Sequence, residues 1–203
     1  MEIVKLLIVD INLASVHHHY LVKNITEEQK ERVLRFKNEK DQLRCLLSSY
    51  LINQLSSEKI QKSETGKPFY PNGPFFNISH SGKYVVMAIA NQEIGVDIEE
   101  DIEKNMDILL KIFNEAEAKM IKEHADFYYL WCAKESLIKC MGSSISKIKE
   151  VPSLPLNGLK TFKGKDYQCQ TFIYDKHIVS ITKEGKEPFE IKTEVVKKMP
   201  FDI

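Results

Sequence analysis

The stretch Gly95-Val96-Asp97-Ile98-Glu99 alternates apolar and acidic side chains, and the interpretation of the whole chain starts from it. Alternate side chains of a β-strand share one face of the sheet. We therefore expect Val96 and Ile98 to point into a core, and Asp97 and Glu99 to lie side by side on the opposite face. Two neighbouring carboxylates in an apolar run repel each other unless a cation joins them. The pattern predicts a strand that carries a cation site.

A second stretch, Trp131-Cys132-Ala133-Lys134-Glu135-Ser136-Leu137-Ile138-Lys139, has helical periodicity. Glu135 and Lys139 are four residues apart, so they share one face of the predicted helix. Three carboxylates and a nearby cationic side chain suit Mg²⁺ and a phosphate ester better than a packed core. Each stretch alone also has a purely structural explanation, because acidic residues are common at sheet edges and Glu–Lys pairs at this spacing are common on helix surfaces.

A third stretch, Asn77-Ile78-Ser79-His80-Ser81-Gly82, favours the functional interpretation. It follows Phe75-Phe76 and precedes an apolar run over 84–90, so it predicts a turn between two strands. Hydroxyls, an imidazole and free amides at such a turn converge on one point. An anion such as a phosphate needs this set of donors.

Taken in order, these stretches resemble the 4′-phosphopantetheinyl transferases of the larger, surfactin-synthetase-activating type. The resemblance covers most of residues 26–142 and runs through Gly66-Lys67-Pro68, residues 76–82, GVDIE at 95–99 and WCAKESLIK at 131–139, with Asp41-Gln42-Leu43-Arg44 on an upstream helix. It implies an α+β fold with two similar α+β halves in a pseudo-twofold arrangement, at residues 1–102 and 103–203. The active site is then expected in the cleft between the halves.

The resemblance also implies an activity. The expected reaction moves the 4′-phosphopantetheine group of coenzyme A onto a serine of an apo acyl or peptidyl carrier protein and releases 3′,5′-ADP. Asp97, Glu99 and Glu135 match the family's ligands of Mg²⁺. The general base is either Glu135, which we favour, or a metal-bound water, and Lys139 would offset negative charge on the phosphates.

Four further residues are implied to bind coenzyme A. Ser79 and His80 match the family's phosphate-binding turn, and Arg44 matches a basic residue that grips the 3′-phosphate, as a guanidinium does well. Lys67 is expected at the adenine end of the ligand.

Two residues remain open, and the chain departs from the family pattern at two places. Lys134 is either a solvated lysine or a phosphate contact, and Glu117 is either an acid near the metal or an ordinary helix-surface glutamate.

Thr65 stands where an aromatic residue often precedes the Gly-Lys-Pro turn, which weakens the expected adenine contact. Cys140-Met141-Gly142 replaces a glycine-rich basic turn, so one phosphate contact is expected to be missing.

Composition restricts the class of protein. The 203 residues are 43% hydrophobic and 29% charged with zero formal net charge, so no global field attracts nucleic acid or a membrane. No apolar run is long enough for a membrane span, and the four cysteines lack C-x-x-C spacing. We expect a cytoplasmic monomer. His17-His18-His19 is interpreted as surface or sheet-edge sequence rather than as a metal site.

Periodicity predicts most of the elements. Strands are expected near 1–10, 75–79, 84–90, 94–99, 160–163, 167–174, 177–182 and 188–196, and helices are expected from Thr26, around 43–51, within 100–126 and at 126–141. The helical region over 103–121 is a candidate surface for docking the carrier protein, although a core stripe explains its apolar members equally well.

Two alternatives stay open beside the transferase. One is another Mg²⁺-dependent enzyme that cleaves diphosphates, which usually needs a denser acidic helix motif than this chain has. The other is a non-catalytic protein on the same fold that binds a carrier protein or coenzyme A. Loss of a metal ligand would mark such a binder, and Asp97, Glu99 and Glu135 are all present.

Overall fold

The computed structural model describes residues 1–103 and 110–199, and the protein has an α+β fold. The first sheet has the strand order β10-β1-β5-β4. Its members are β1 (Glu2–Asp10), β4 (Phe75–Ser81), β5 (Tyr84–Ala90) and β10 (Phe189–Val196). β1 runs parallel to β10 and antiparallel to β5, which pairs with β4. Two short strands, β2 (Gln61–Lys62) and β3 (Pro68–Phe69), pair separately.

The second sheet is antiparallel, with the order β6-β9-β8-β7. Its members are β6 (Ile94–Glu100), β7 (Gly158–Phe162), β8 (Lys165–Tyr174) and β9 (His177–Glu184). β6 lies before the proposed boundary at 102/103, but it belongs to the second sheet, whose other strands all come after that boundary. β10 lies after the boundary, but it pairs with β1 in the first sheet. The two halves remain a prediction, and across the proposed boundary each sheet takes one strand from the other half.

The helices lie outside the sheets. They are α1 (Ile11–Val16), α2 (His18–Lys23), α3 (Glu27–Leu34), α4 (Glu39–Asn53), α5 (Glu115–Met120) and α6 (His124–Cys140), with 3₁₀ turns at Leu110–Ile112 and Ile145–Lys147. The predicted start at Thr26 is confirmed, because Thr26 and Gln29 form a capping box. Residues 104–109 of the proposed docking surface lie outside the described part of the chain. No described helix has the length and apolar content that crossing a bilayer requires.

The first two helices were not predicted from the sequence. Asp10 caps α1 by accepting a hydrogen bond from the Asn12 amide at 2.8 Å. His18 and His19 begin α2 with exposed side chains, which agrees with the surface interpretation. All four cysteines are buried and free.

Side-chain alternation along the strands separates two cores. On β1, Leu7 packs among the helices α1–α4, whereas Leu6 packs in the core that the two sheets share. On β6, Val96 and Ile98 are fully buried in that same shared core, as the sequence predicted. Asp97 therefore points to the other face of the second sheet, where α6 lies.

Contact between β6 and α6 depends on a glycine. A Cβ at Gly95 would overlap the carbonyl oxygen of Ser136 and the backbone nitrogen of Cys140. Because both obstacles are helix backbone, no side-chain rotation relieves the overlap. The absence of a side chain at Gly95 lets α6 lie directly on the strand that carries the two carboxylates.

We expect Gly95→Ala to lower the free energy of unfolding by about 3 kcal/mol, because the added methyl group separates β6 from α6. Urea unfolding followed by circular dichroism measures this change. Gly164→Ala is the control, since a Cβ there meets nothing within 4 Å and only the positive φ of 76° adds about 1 kcal/mol of strain. Equal losses in the two variants would contradict the packing argument.

Candidate active site

Polar side chains of β4 join the edges of the two sheets. Asn77, Ser79 and Ser81 alternate along β4, so they share one face of the strand. The Asn77 side-chain oxygen accepts a hydrogen bond from the Val96 amide of β6 at 2.9 Å. β4 and β6 are edge strands of separate sheets, and these side chains satisfy edge groups that would otherwise lack a partner.

The two serines contact the two carboxylates of β6. Ser79 Oγ donates to Asp97 Oδ1 at 2.9 Å, and Ser81 Oγ donates to Glu99 Oε2 at 2.9 Å. The Glu100 amide donates to Ser81 Oγ at 3.0 Å. The carboxylates are thus held in place by hydroxyls from the neighbouring sheet.

The turn predicted at Ser-His-Ser-Gly is shorter in the structure than expected from the sequence. β4 continues through Ser81, so Ser79 and His80 lie in a strand, and the turn to β5 consists of Gly82 and Lys83 only. The strand continues because the alternating hydroxyls of β4 have partners on β6, which periodicity in a single segment does not reveal.

Helix α6 supplies the remaining charged groups. Trp131, Glu135 and Lys139 follow one another at four-residue spacing, so they lie on one face of the helix. Lys139 Nζ donates to Asp97 Oδ1 at 2.6 Å and to Ser79 Oγ at 2.9 Å. Burial opposes the charge of Lys139, but the adjacent Asp97 carboxylate outweighs it and raises the pKa of the ammonium.

These groups line one cavity of about 570 Å³. Six of the predicted site residues border it: Ser79, His80, Asp97, Glu99, Glu135 and Lys139. Partial burial lowers the pKa of His80, and the cations of Arg44 and Lys139 lower it further, so the imidazole is neutral at pH 7. The cavity brings together the residues of all three quoted stretches.

Two cavity residues were missed at the level of sequence. Trp131 was not among the predicted site residues, but it borders the cavity, and its ring stacks on that of Phe127 at 6.1 Å between ring centroids. Its four-residue spacing from Glu135 was the available signal. Arg32 of α3 also borders the cavity.

Arg44 and Lys67 are held outside this cavity lining. Arg44 donates to the Gly82 carbonyl oxygen and, at 2.6 Å, to Asp41 Oδ1. Lys67 Nζ contacts Glu93 Oε2 at 2.6 Å and borders a separate cavity of about 760 Å³. Their assignment to coenzyme A binding therefore remains a prediction.

The structure decides the open question of Lys134 and Glu117. The Lys134 side chain is fully buried, and its Nζ lies 2.9 Å from Glu117 Oε2. Ser153 donates to the other Glu117 oxygen at 2.7 Å. Burial opposes the charge of Glu117, but Lys134, Ser153 and Asn114 outweigh it and lower the pKa of the carboxyl. The pair is an internal structural link, and neither residue borders the cavity.

The carboxyl of Glu135 has a strongly raised pKa. Burial, the Asp97 carboxylate and the Glu99 carboxylate together raise its pKa to about 7, with Lys139 acting in the opposite direction. A carboxyl with this pKa exchanges a proton readily near neutral pH. Perturbed groups of this kind are common at functional sites.

The donor chemistry of the cavity fits a hard cation. Among the described residues, no group of three or more His, Cys, Asp or Glu side chains is already arranged around a metal position. However, Asp97 Oδ2 and Glu135 Oε1 are buried and have no hydrogen-bond partner in the described part of the chain. Buried carboxylate oxygens without a donor are costly, and an oxygen-seeking cation such as Mg²⁺ would satisfy them.

The fold and the cavity define an α+β protein with an acidic, cation-compatible cleft between a sheet edge and a helix. Family comparisons are consistent with this class. A family model described as "4′-phosphopantetheinyl transferase superfamily" matches residues 93–182, and one described as "4′-phosphopantetheinyl transferase, N-terminal" matches residues 14–92. Together the two matches include every predicted site residue.

Individual proteins that are similar in sequence to this chain belong to the same superfamily as the two family models. The chain is 33% identical over 174 residues to the 4′-phosphopantetheinyl transferase gsp of Aneurinibacillus migulanus, which covers 78% of this chain and 69% of that protein. It is 34% identical over 170 residues to the 4′-phosphopantetheinyl transferase Sfp of Bacillus subtilis. That match covers 75% of this chain and 73% of that protein. The L-aminoadipate-semialdehyde dehydrogenase-phosphopantetheinyl transferase of Rattus norvegicus is 31% identical to it over 186 residues. That match covers 76% of this chain and 60% of that protein. The chain belongs to the 4′-phosphopantetheinyl transferase superfamily and is an enzyme of that class.

The raised pKa of Glu135 predicts a pH dependence of stability without added metal. Its pKa is about 7 in the folded protein and 4.5 unperturbed, so the unfolded state loses its proton first as the pH rises. We expect the free energy of unfolding in EDTA to fall by about 1–2 kcal/mol between pH 4.5 and pH 8, after allowance for partial exposure. Urea unfolding across this range measures the change. Glu135→Gln should remove that part of the slope, and parallel curves would contradict the assignment.

The buried Lys134–Glu117 pair predicts a stability effect without a direct effect on the cavity. We expect Lys134→Met to lower the free energy of unfolding by about 3–5 kcal/mol, because Glu117 keeps a buried charge without its ammonium. Urea unfolding measures the loss. The double variant Lys134→Met/Glu117→Leu should recover most of it, and a double variant no more stable than the single one would be evidence against the pairing.

Proposed function

We propose that this enzyme transfers the 4′-phosphopantetheine group of coenzyme A to a serine hydroxyl of an acyl or peptidyl carrier protein, with Mg²⁺ as cofactor and 3′,5′-ADP as the leaving product. One observation carries the proposal. Three carboxylates, Asp97, Glu99 and Glu135, converge with Lys139 on one cavity in a chain that belongs to this superfamily.

The reaction has a simple bond balance. The serine oxygen forms a bond to the β-phosphorus of the coenzyme A diphosphate, and the bond from that phosphorus to the bridging oxygen breaks. The serine proton goes to the base, and the electron pair of the broken bond stays on the 3′,5′-ADP phosphate. The enzyme must therefore accept one proton and stabilise negative charge on the phosphates.

Glu135 is the proposed base. Its Oε1 has no hydrogen-bond partner in the described part of the chain, so this oxygen is available to accept the serine proton. Lys139 follows one helical turn later, so it can stabilise charge on the leaving phosphate from the same face of α6.

Asp97, Glu99 and Glu135 are the proposed ligands of Mg²⁺. When bound, this ion neutralises diphosphate charge and orients the phosphates. His80 is neutral near pH 7, so we assign it hydrogen bonding to phosphate rather than charge neutralisation. Arg44 and Lys67 are proposed to meet the distal 3′-phosphate and adenine end of coenzyme A, where each must exchange one of its present partners for the ligand.

A single chain carries both the strand and the helix that border the cavity, so we propose that the enzyme acts as a monomer. The four buried free cysteines are consistent with a reducing compartment, and we propose a cytoplasmic location. Curated relatives carry transferase names rather than names of binding proteins, which favours the enzyme over the non-catalytic alternative.

The test is the intact mass of apo carrier proteins incubated with this chain, coenzyme A and Mg²⁺. We expect a gain of one phosphopantetheine unit that EDTA abolishes. Asp97→Asn should slow transfer at least about 100-fold, because it removes a charged metal ligand while keeping the side-chain shape. Glu115→Gln is the matched control, since that carboxylate is 88% exposed on α5.

Absence of transfer to carriers from several pathways, with coenzyme A still bound, would favour the non-catalytic binder. Transfer at the parent rate in Asp97→Asn would remove Asp97 from the metal site.

A further inference from the structure

We propose that Ser81 is a positioning residue, which fixes the Glu99 carboxylate for metal binding from the neighbouring sheet. The proposal rests on the proposed function, in which Glu99 is a ligand of Mg²⁺. It assigns to Ser81 a role distinct from phosphate contact, because its hydroxyl engages protein groups on both sides.

The direction of the hydrogen bonds is fixed by their chemistry. A backbone amide only donates, so Ser81 Oγ must accept from the Glu100 amide at 3.0 Å. An ionised carboxylate only accepts, so the single hydroxyl hydrogen of Ser81 is directed to Glu99 Oε2 at 2.9 Å. The serine therefore forms a bridge from the backbone of one residue to the side chain of the preceding one.

The backbone that carries this hydroxyl is itself held in place. Ser81 is the last residue of β4 and pairs with Tyr84 across the turn. The Gly82 carbonyl accepts a hydrogen bond from Arg44 Nε at 3.0 Å. The other side of Gly82 is closely packed, because a Cβ there would lie 2.7 Å from His177 Nε2. The hydroxyl is thus presented from a turn restrained on two sides.

The two carboxylates of β6 differ in exposure and in side-chain length. The Asp97 side chain is 5% exposed and receives hydrogen bonds from both Lys139 and Ser79. Glu99 is more exposed, and its longer side chain loses more rotational freedom when it is fixed. Hydrogen bonds to ligating carboxylates typically change metal affinity 10–100-fold. We therefore expect Ser81 to act mainly on metal affinity.

Asn77 supplies a matched control on the same strand face. Its side chain also joins β4 to β6, but the hydrogen bond that it accepts comes from the Val96 backbone amide, whereas Ser81 reaches a carboxylate. Loss of Asn77 removes an inter-sheet hydrogen bond without releasing Glu99. A purely structural role for Ser81 would make the two alanine variants behave alike.

The experiment compares Ser81→Ala, Ser81→Thr and Asn77→Ala in the full chain with bound coenzyme A and no carrier protein. The single tryptophan, Trp131, borders the cavity, so its fluorescence reports Mg²⁺ titration without turnover. We expect Ser81→Ala to raise the half-saturating Mg²⁺ concentration at least 10-fold, and Ser81→Thr, which keeps the hydroxyl, to stay within about 3-fold of the parent. Asn77→Ala should lower the melting temperature but leave the Mg²⁺ half-saturation unchanged.

The outcomes separate this proposal from the proposed function. A parent chain that responds to Mg²⁺, beside a Ser81→Ala variant with the same half-saturation, overturns the role of Ser81 alone. An equal shift in Asn77→Ala also overturns it, because the effect is then structural. A parent chain with no Mg²⁺ response and no transfer overturns the proposed function, and the role of Ser81 with it.

Discussion

The hydrogen bonds that Ser79 and Ser81 of β4 donate to the β6 carboxylates are the interactions on which the candidate site depends. Backbone pairing ends at the edge of each sheet, so the two sheets meet through side chains rather than through a continuous ladder. Asn77 binds the backbone of β6, while Ser79 and Ser81 bind its two carboxylates. Because side chains alternate with period two, one register of β4 against β6 serves all three contacts, and a slip of one residue would lose them all.

The same alternation lets β6 contribute both to the core and to the lining of the cavity. Its even-numbered apolar residues fill the core that the sheets share, and its odd-numbered residues face α6. Gly95 allows the helix to approach, so the Asp97 and Glu99 carboxylates lie near Glu135 and Lys139. Like charges brought together in this way are unfavourable without a cation. Burial first, and then the Asp97 and Glu99 carboxylates, raise the pKa of Glu135.

Charged residues of similar appearance in the sequence have opposite roles in the fold. Lys134 and Lys139 lie on the same helix, five residues apart, so they point in different directions. Lys134 is fully buried against Glu117 and links α6 to the loop at Ser153, whereas Lys139 borders the cavity. The buried pair holds α6 on the side of the helix away from the cavity. This helps to keep the face that carries Glu135 directed at β6.

The sequence by itself determined the α+β class, nearly all strands, the main helices and the alternation of β6, because these follow from periodicity and capping within one segment. It also identified Asp97, Glu99, Glu135 and Lys139 as a set. Only the tertiary structure decided that β6 joins the later strands, that Lys134 is buried, and that Lys67 contacts Glu93. These features depend on pairing between segments far apart in the chain, and local patterns carry no information about which distant partner satisfies a given charge or strand edge.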